Sequence, residues 1–178
     1  AAVSQEPIGR LAAAHQQLIA AVQGRPCRPD DATGAVDQRR ATEWLAQAIC
    51  FQAQGQLDDA LAAAKRASEL SPHFGFAWAR VAELEFSFGR VAAAARALER
   101  ALTLTPENAE ALSLMGFMEA AENRVSTAAD WFERALTVDG ALGNAWLGRG
   151  LVRIRQGDLA RGRADLEGAA AIEPQRSL

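Results

Sequence analysis

Apolar and polar positions along this chain repeat at an interval of 34 residues. Within one interval, apolar residues follow a helical spacing from Trp78 to Phe88, and Gly89 then offers the left-handed conformation that ends many helices. A second helical stretch begins at Val91 and stops at Pro106, because proline lacks the amide donor that a helix needs. The pattern therefore predicts a hairpin of two helices in each interval.

The same residue types recur in register along most of the chain. The recurring columns are Trp44, Trp78, Leu112 and Trp146; Ala48, Ala82, Gly116 and Gly150; Gly55, Gly89, Asn123 and Gly157; Ala67, Ala101, Ala135 and Ala169; and Pro72, Pro106, Gly140 and Pro174. A period of this length is typical of stacked-repeat proteins, in which each unit buries its apolar face against the next. We expect small residues such as Ala82 where paired helices approach closely, and large ones such as Trp78 and Leu98 in the remaining space.

These columns resemble the tetratricopeptide repeat family, whose pattern reads roughly W-x2-L-G-x2-Y, then A-x3-F, then A and P. The resemblance covers residues 41–176 and implies an all-α fold, a right-handed superhelical solenoid of helical hairpins with about four repeats plus an N-terminal helix. The implied repeats are residues 41–74, 75–108, 109–142 and 143–176. Position eleven departs from the family's aromatic residue. It holds Phe51, Glu85, Glu119 and Arg153, and stacking of these positions predicts an ion pair between Glu119 and Arg153.

Residues 1–40 precede the repeats. An apolar stripe predicts a helix over about residues 7–23, either a degenerate half-repeat or a cap on the end of the solenoid, followed by an exposed loop. At the other end no polar capping helix follows Pro174, so we expect the natural protein to continue with more repeats or another domain. Cys27 and Cys50 are weak evidence for a disulfide, and we expect free thiols, with a disulfide as the alternative.

Composition and charge narrow the classes of function. The chain has 178 residues, of which 49% are hydrophobic and 23% charged, with a net charge of −3. This balance is ordinary for a soluble domain and lacks the basic excess typical of proteins that bind nucleic acid or anionic membranes. No apolar run reaches the roughly 18 residues that insertion across a membrane needs. The absence of tyrosine and the single lysine, Lys65, favour a GC-rich bacterial genome, and leave open whether the protein works in the cytoplasm or the cell envelope.

No motif in the sequence predicts an enzyme, a cofactor or a metal site. His15 and His73 do not stand at metal-ligand spacings, and there is no phosphate-binding glycine loop and no nucleophile with a neighbouring base. The glutamates of the middle repeats are interpreted as a solvated helix face. The arginines make the fourth repeat locally basic, but nucleic-acid binding would need more such charge together with exposed aromatic residues. We therefore expect a protein without catalytic activity.

In tetratricopeptide repeats, positions two, five, nine, twelve and thirteen of the first helix line a concave groove, and these spacings lie on one helical face. The candidate partner-binding residues at these positions are Leu45, Ile49, Gln52, Phe76, Glu83, Phe86, Phe117, Leu147, Leu151 and Ile154. Some members of the family hold a terminal carboxylate with lysine and asparagine at positions five and nine. The corresponding residues here are Leu45, Ile49, Glu83, Ser113 and Phe117, so we do not expect a carboxylate clamp.

An exposed apolar groove favours a protein-interaction module that binds an unidentified partner helix or peptide. The main alternative is a structural segment of a longer array, whose groove is filled from within the polypeptide or used for homodimerisation. An apolar small molecule or lipid is a further alternative. For the first hypothesis, Phe86→Arg or Phe117→Arg is expected to abolish partner capture without unfolding the repeats.

Overall fold

The computed structural model describes residues 40–172, together with Gln16 and Ile19. Residues 40–172 contain eight α-helices and no strand. The helices are α1 Ala41–Ala53, α2 Leu57–Leu70, α3 Gly75–Ser87, α4 Val91–Leu104, α5 Ala109–Ala121, α6 Val125–Val138, α7 Gly143–Arg155 and α8 Leu159–Ile172. The expected all-α fold of repeated helical hairpins is confirmed. The predicted N-terminal helix and loop, and the expectation about the chain beyond Pro174, concern residues that lie almost wholly outside the described part.

Each hairpin turns at one residue with a left-handed backbone. The φ angle is 75° at Gly55, 72° at Gly89, 61° at Asn123 and 87° at Gly157. The amide of the following residue donates to the carbonyl five positions earlier, as in the second hairpin, where the distance is 2.9 Å, and this closes the end of the first helix. The glycine column predicted to end the first helices is confirmed, and Asn123 takes the same conformation.

In the second and fourth repeats, the recurring tryptophan ties the first helix to the loop before it. Nε1 of Trp78 donates to the carbonyl oxygen of Pro72 at 3.0 Å, and Nε1 of Trp146 donates to that of Gly140 at 2.8 Å. Burying the indole ring requires a partner for its N–H group, and this loop supplies one. The column of Pro72 and Gly140 therefore provides an acceptor as well as a break between helices, a second role that the sequence pattern does not reveal.

The chain divides into two compact units, and the boundary between Arg100 and Ala101 falls within α4. In unit 1, α2 packs against both α1 and α3. Its core consists mainly of alanine, with Leu84 and Leu98 as large, fully buried side chains. The fully buried alanines of this unit are Ala48, Ala60, Ala64, Ala67, Ala77, Ala82 and Ala94. Small side chains allow the helices to pack closely, as the sequence predicts.

Unit 2 has an aromatic core around Phe132 of α6, which is fully buried. Two glycines face its ring, Gly116 of α5 and Gly148 of α7. A Cβ atom would lie 2.7 Å from the ring at Gly116 and 2.2 Å from it at Gly148, both far inside van der Waals contact. Because protein interiors are close-packed, the ring occupies the space that side chains at these positions would need.

Cys50 is fully buried in α1 and is disulfide-bonded. The expectation of a free thiol is therefore wrong for this residue. The other cysteine of the sequence, Cys27, lies outside the described residues. Cys50 is consequently neither a free nucleophile nor a metal ligand.

Candidate functional site

All ten residues predicted to line a groove keep some exposure to solvent. We call positions two, five, nine, twelve and thirteen of a repeat's first helix the first-helix face, and describe it separately for α1 and α3 in unit 1 and for α5 and α7 in unit 2. The most exposed of the ten are Phe76 at 49%, Leu151 at 47% and Leu147 at 39%. The other seven are half-buried. Their contact with a partner stays a prediction.

The first-helix face of unit 1 carries a polar network. Nε2 of Gln52 on α1 donates to Oε1 of Glu83 on α3 at 2.8 Å. Nη1 of Arg80 donates to Oε1 of Gln52 at 2.9 Å and also pairs with the Glu83 carboxylate. The three side chains therefore link α1 to α3 and hold the Glu83 carboxylate in one position.

Arg80 is the member of this network that lies outside the predicted groove positions. The Arg80 side chain is 12% exposed and that of Glu83 is 33% exposed, so the carboxylate is the more accessible of the two charges. The separation of three residues on one helix is a sequence signal for their ion pair. The part played by Gln52 depends on the packing of α1 near α3, which residue spacing alone does not reveal.

Two phenylalanines share the helix face with Glu83. Phe76 lies two turns before it on α3 and Phe86 lies one turn after it. Ala79, between Phe76 and Glu83, is small and buried. The Phe76 ring also contacts Phe74, with 6.1 Å between ring centroids. A carboxylate that shares a helix face with one exposed and one half-buried aromatic ring is an arrangement suited to a cationic side chain.

The first-helix face of unit 2 presents aliphatic side chains along α7, with the charged residues Glu110 at the start of α5 and Arg155 at the end of α7. Leu147 and Leu151 are one helical turn apart on α7, and Ile154 follows on the same side. On α5 the Phe117 ring is half-buried and meets the Phe132 ring edge-on, with 5.0 Å between centroids. Replacing Phe117 with arginine would therefore disturb the core as well as the face, so this substitution does not separate binding from folding.

On the side of α7 away from Leu147 and Leu151, a partly buried ion network links α7 to α6 and α8. Arg149 donates to both carboxylate oxygens of Asp165 on α8 at 2.9 Å each, and to Glu133 on α6 at 2.9 Å. Arg153 donates to the same two acids at 2.8 and 2.9 Å. Asp165 is only 3% exposed and Arg149 only 9%. Paired, directional hydrogen bonds of this kind join α6, α7 and α8 and fix the rotation of α7.

The predicted ion pair between Glu119 and Arg153 is wrong. Glu119 accepts from Nη2 of Arg124 at 3.0 Å, and Arg153 pairs with Glu133 and Asp165. The partner of Glu119 follows five residues later, just beyond the hairpin turn, where the left-handed residue brings the two ends together. The acids that hold Arg153 also neutralise much of the basic character of the fourth repeat.

Glu85 of unit 1 pairs across its hairpin turn in the same way. Its carboxylate lies 3.2 Å from Nη1 of Arg90 and 2.6 Å from Nζ of Lys65. The hydrogen bond from Lys65, helped by Arg90, lowers the pKa of Glu85 despite its burial. The hydrogen bond from Arg124 likewise lowers the pKa of Glu119. Both glutamates are thus structural anions and not acid–base groups poised near neutral pH.

The described residues hold no group of three or more His, Cys, Asp or Glu side chains placed to bind a metal ion. None of their helices combines the length and the apolar composition needed to cross a membrane.

Residues 51–116 match a family model described as tetratricopeptide repeat. The comparison with curated proteins found no match. Three solved structures illustrate the similarity of fold. A thermophilic TPR protein of Thermus thermophilus is 21% identical, with a TM-score of 0.65 over 75% of each chain. MamA is 19% identical, with a TM-score of 0.58 over 79% of this chain and 82% of its own.

The third structure is the first TPR of Spaghetti (RPAP3), bound to the HSP90 peptide SRMEEVD. It is 19% identical, with a TM-score of 0.58 over 68% of this chain and 97% of its own. At these levels of identity the three similarities show the fold. Which chemistry the surfaces of this chain recognise has to be argued from its own side chains.

Proposed function

We propose that this chain is a protein-interaction module of the tetratricopeptide-repeat type, whose first-helix faces bind a helix or peptide of a partner protein; the match of residues 51–116 to that family model supports this. The observation that carries this proposal is the exposed pair of leucines on α7, Leu147 and Leu151. A helical-repeat fold of this type is typically a scaffold for interactions and not an enzyme.

The leucine pair presents an apolar ridge to solvent. Complete burial of a leucine side chain contributes about 1.5–3 kcal/mol, so covering the half that is still exposed would contribute roughly 1 kcal/mol for each of the two. Their spacing of one turn matches apolar side chains one turn apart on a partner helix, or alternate side chains of an extended peptide. The ion network behind α7 keeps Leu147 and Leu151 oriented toward solvent before any partner arrives, which lowers the ordering cost of binding.

The RPAP3 repeat shows that a peptide can be bound on this fold, and its peptide, SRMEEVD, is acidic. The first-helix faces of this chain favour different chemistry. Positions five and nine of the first repeat hold Leu45 and Ile49, and position nine of the second holds Glu83. The proposed partner segment is therefore mainly apolar and does not depend on a terminal carboxylate.

A pair of exposed leucines in unit 2 allows a matched test. Leu151 lies on the first-helix face of α7, whereas Leu159 lies on α8 and is 66% exposed. Wild-type protein, Leu151→Arg and Leu159→Arg would each be immobilised and used to capture proteins from a lysate of the source organism. We expect Leu151→Arg to lose a protein that both of the others retain, with a decrease in affinity of about tenfold or more.

Circular dichroism and thermal unfolding would verify that the three proteins are equally folded. Equal capture by all three, or equal loss in both variants, would contradict the proposal. If the retained protein is a second copy of this chain, light scattering of the wild type and Leu151→Arg would show whether this face mediates homodimerisation.

A further inference from the structure

We propose that the first-helix face of unit 1 selects a partner segment that carries a cationic side chain among apolar ones, and that Glu83 receives the cation. This inference rests on the proposed function, because it names the chemistry of the segment that would be bound. It concerns α1 and α3 alone.

The Glu83 carboxylate has unused capacity to accept hydrogen bonds. An ionised carboxylate offers about four acceptor sites, and Gln52 and Arg80 occupy one on each oxygen. One third of the side chain is exposed. The hydrogen bonds from Gln52 and Arg80 position the carboxylate in advance, so little side-chain freedom is lost when a partner donates to it.

Glu83 also decides the sign of the charge that a partner meets. Among the ten positions of the face on α1 and α3, it is the one ionisable residue. The neighbouring cation, Arg80, is nearly buried and directs Nη1 to Gln52 and Glu83. A carboxylate on the partner would therefore approach Glu83 first and be repelled, whereas a lysine or arginine would be attracted.

The aromatic rings along α3 favour the same choice. Phe76 is half exposed and Phe86 partly so, and they lie on either side of Glu83 along one helix face. The faces of aromatic rings attract cations, and the long stems of lysine and arginine pack on apolar surface while their charged ends reach a carboxylate.

The test is selection from a phage-displayed library of random peptides of about 12 residues, roughly three helical turns. The baits are the complete chain, Glu83→Arg and, as a control, Glu69→Arg. Glu69 pairs with Arg66 three residues before it, as Glu83 does with Arg80, but lies on α2 away from the face. Thermal unfolding would establish that the three baits are folded.

We expect peptides enriched on the wild type and on Glu69→Arg to contain lysine or arginine next to apolar residues. Glu83→Arg should lose this preference and favour aspartate or glutamate. A synthetic copy of an enriched basic peptide should bind Glu83→Gln about fivefold more weakly than wild type, as removal of one partly exposed charge pair predicts.

Two results would overturn the inference. If wild-type bait enriches apolar peptides with no basic preference, or if the preference is unchanged in Glu83→Arg, Glu83 does not select a cation, although peptide binding as such is supported. If none of the baits enriches any peptide, the proposed function fails together with the inference.

Discussion

Unit 1 and unit 2 are built from the same hairpin but place their polar networks on different sides of it. In unit 1 the network of Gln52, Arg80 and Glu83 lies on the first-helix face. In unit 2 the network around Arg149 and Asp165 lies behind α7, and the part of the face that α7 provides is mainly aliphatic as far as Arg155. The comparison shows that one scaffold can use charge either to shape a recognition surface or to fasten helices beneath one.

The two units should differ most in the stability that they lose when one acid of each network is removed. Asp165→Asn leaves Arg149 buried without its main partner, which we expect to lower the free energy of unfolding by about 3–5 kcal/mol. Glu83→Gln removes a partly exposed charge and should cost about 1 kcal/mol or less. Urea unfolding of both variants measures the difference. Equal costs would show that the network of unit 2 is no more important for stability than that of unit 1.

The aromatic core of unit 2 predicts a second, smaller loss of stability when a side chain is added next to the Phe132 ring. Gly148→Ala places a Cβ atom against the buried Phe132 ring, and such overpacking typically costs about 1–3 kcal/mol. Gly168→Ala in α8 is the control, because its nearest neighbour, the Trp146 ring, is 3.4 Å away and alanine favours a helix. Thermal unfolding should show a lower melting temperature for the first variant only. An unchanged melting temperature would mean that the ring adjusts at little cost.

The hairpin turns offer a comparison at one equivalent position in each unit. Gly89→Ala in unit 1 forces a side chain into the left-handed region, where it costs about 1–2 kcal/mol. Asn123→Gly in unit 2 relieves the same strain and should raise stability by less than about 1 kcal/mol. Chemical unfolding would show whether the free energy of unfolding falls in Gly89→Ala and rises in Asn123→Gly. A loss of stability in Asn123→Gly would indicate that the asparagine side chain, which accepts from Arg155 at 2.6 Å, matters more than the backbone.

The smallest predicted effect concerns acid stability in unit 1. The folded-state pKa of Glu85 is lowered from its ordinary value of 4.5, mainly by the hydrogen bond from Lys65. Its ionised form therefore stabilises the fold above the unfolded pKa, and this contribution is lost as the pH falls through the lowered value. Glu85→Gln should make the free energy of unfolding depend less on pH from about 4.5 downward. An acid-unfolding profile identical to that of the wild type would contradict this assignment.

The fold follows largely from the spacing of a few residue types in the sequence. The glycine column predicts the hairpin turns because a left-handed backbone has few alternatives, and the alanine column predicts close helix packing because larger residues do not fit. Leu98 and Ala82 are fully buried, as expected. The second role of Pro72, as acceptor for Trp78, depends on three-dimensional proximity and is not evident from spacing.

The candidate site is harder to predict from sequence than the fold, because each polar side chain has several possible partners within reach. The stacking of repeats predicts that position eleven pairs from one repeat to the next, yet Glu119 pairs with Arg124 across its own turn. Arg149 is not one of the predicted groove positions, and its pairing with Asp165 requires the packing of α7 on α8 to be known. Periodicity identifies the exposed leucines, whereas charge networks depend on geometry between helices.

The most direct test of the central claim is site-specific photo-cross-linking. A photoreactive phenylalanine would replace Leu151 in one protein and Leu159 in another, and each would be irradiated in lysate of the source organism. If the first-helix face of unit 2 binds a partner, a discrete cross-linked protein should form from position 151 and be absent from position 159. Cross-links that are equal at both positions, or missing at 151, would contradict the claim that this face is an interaction surface.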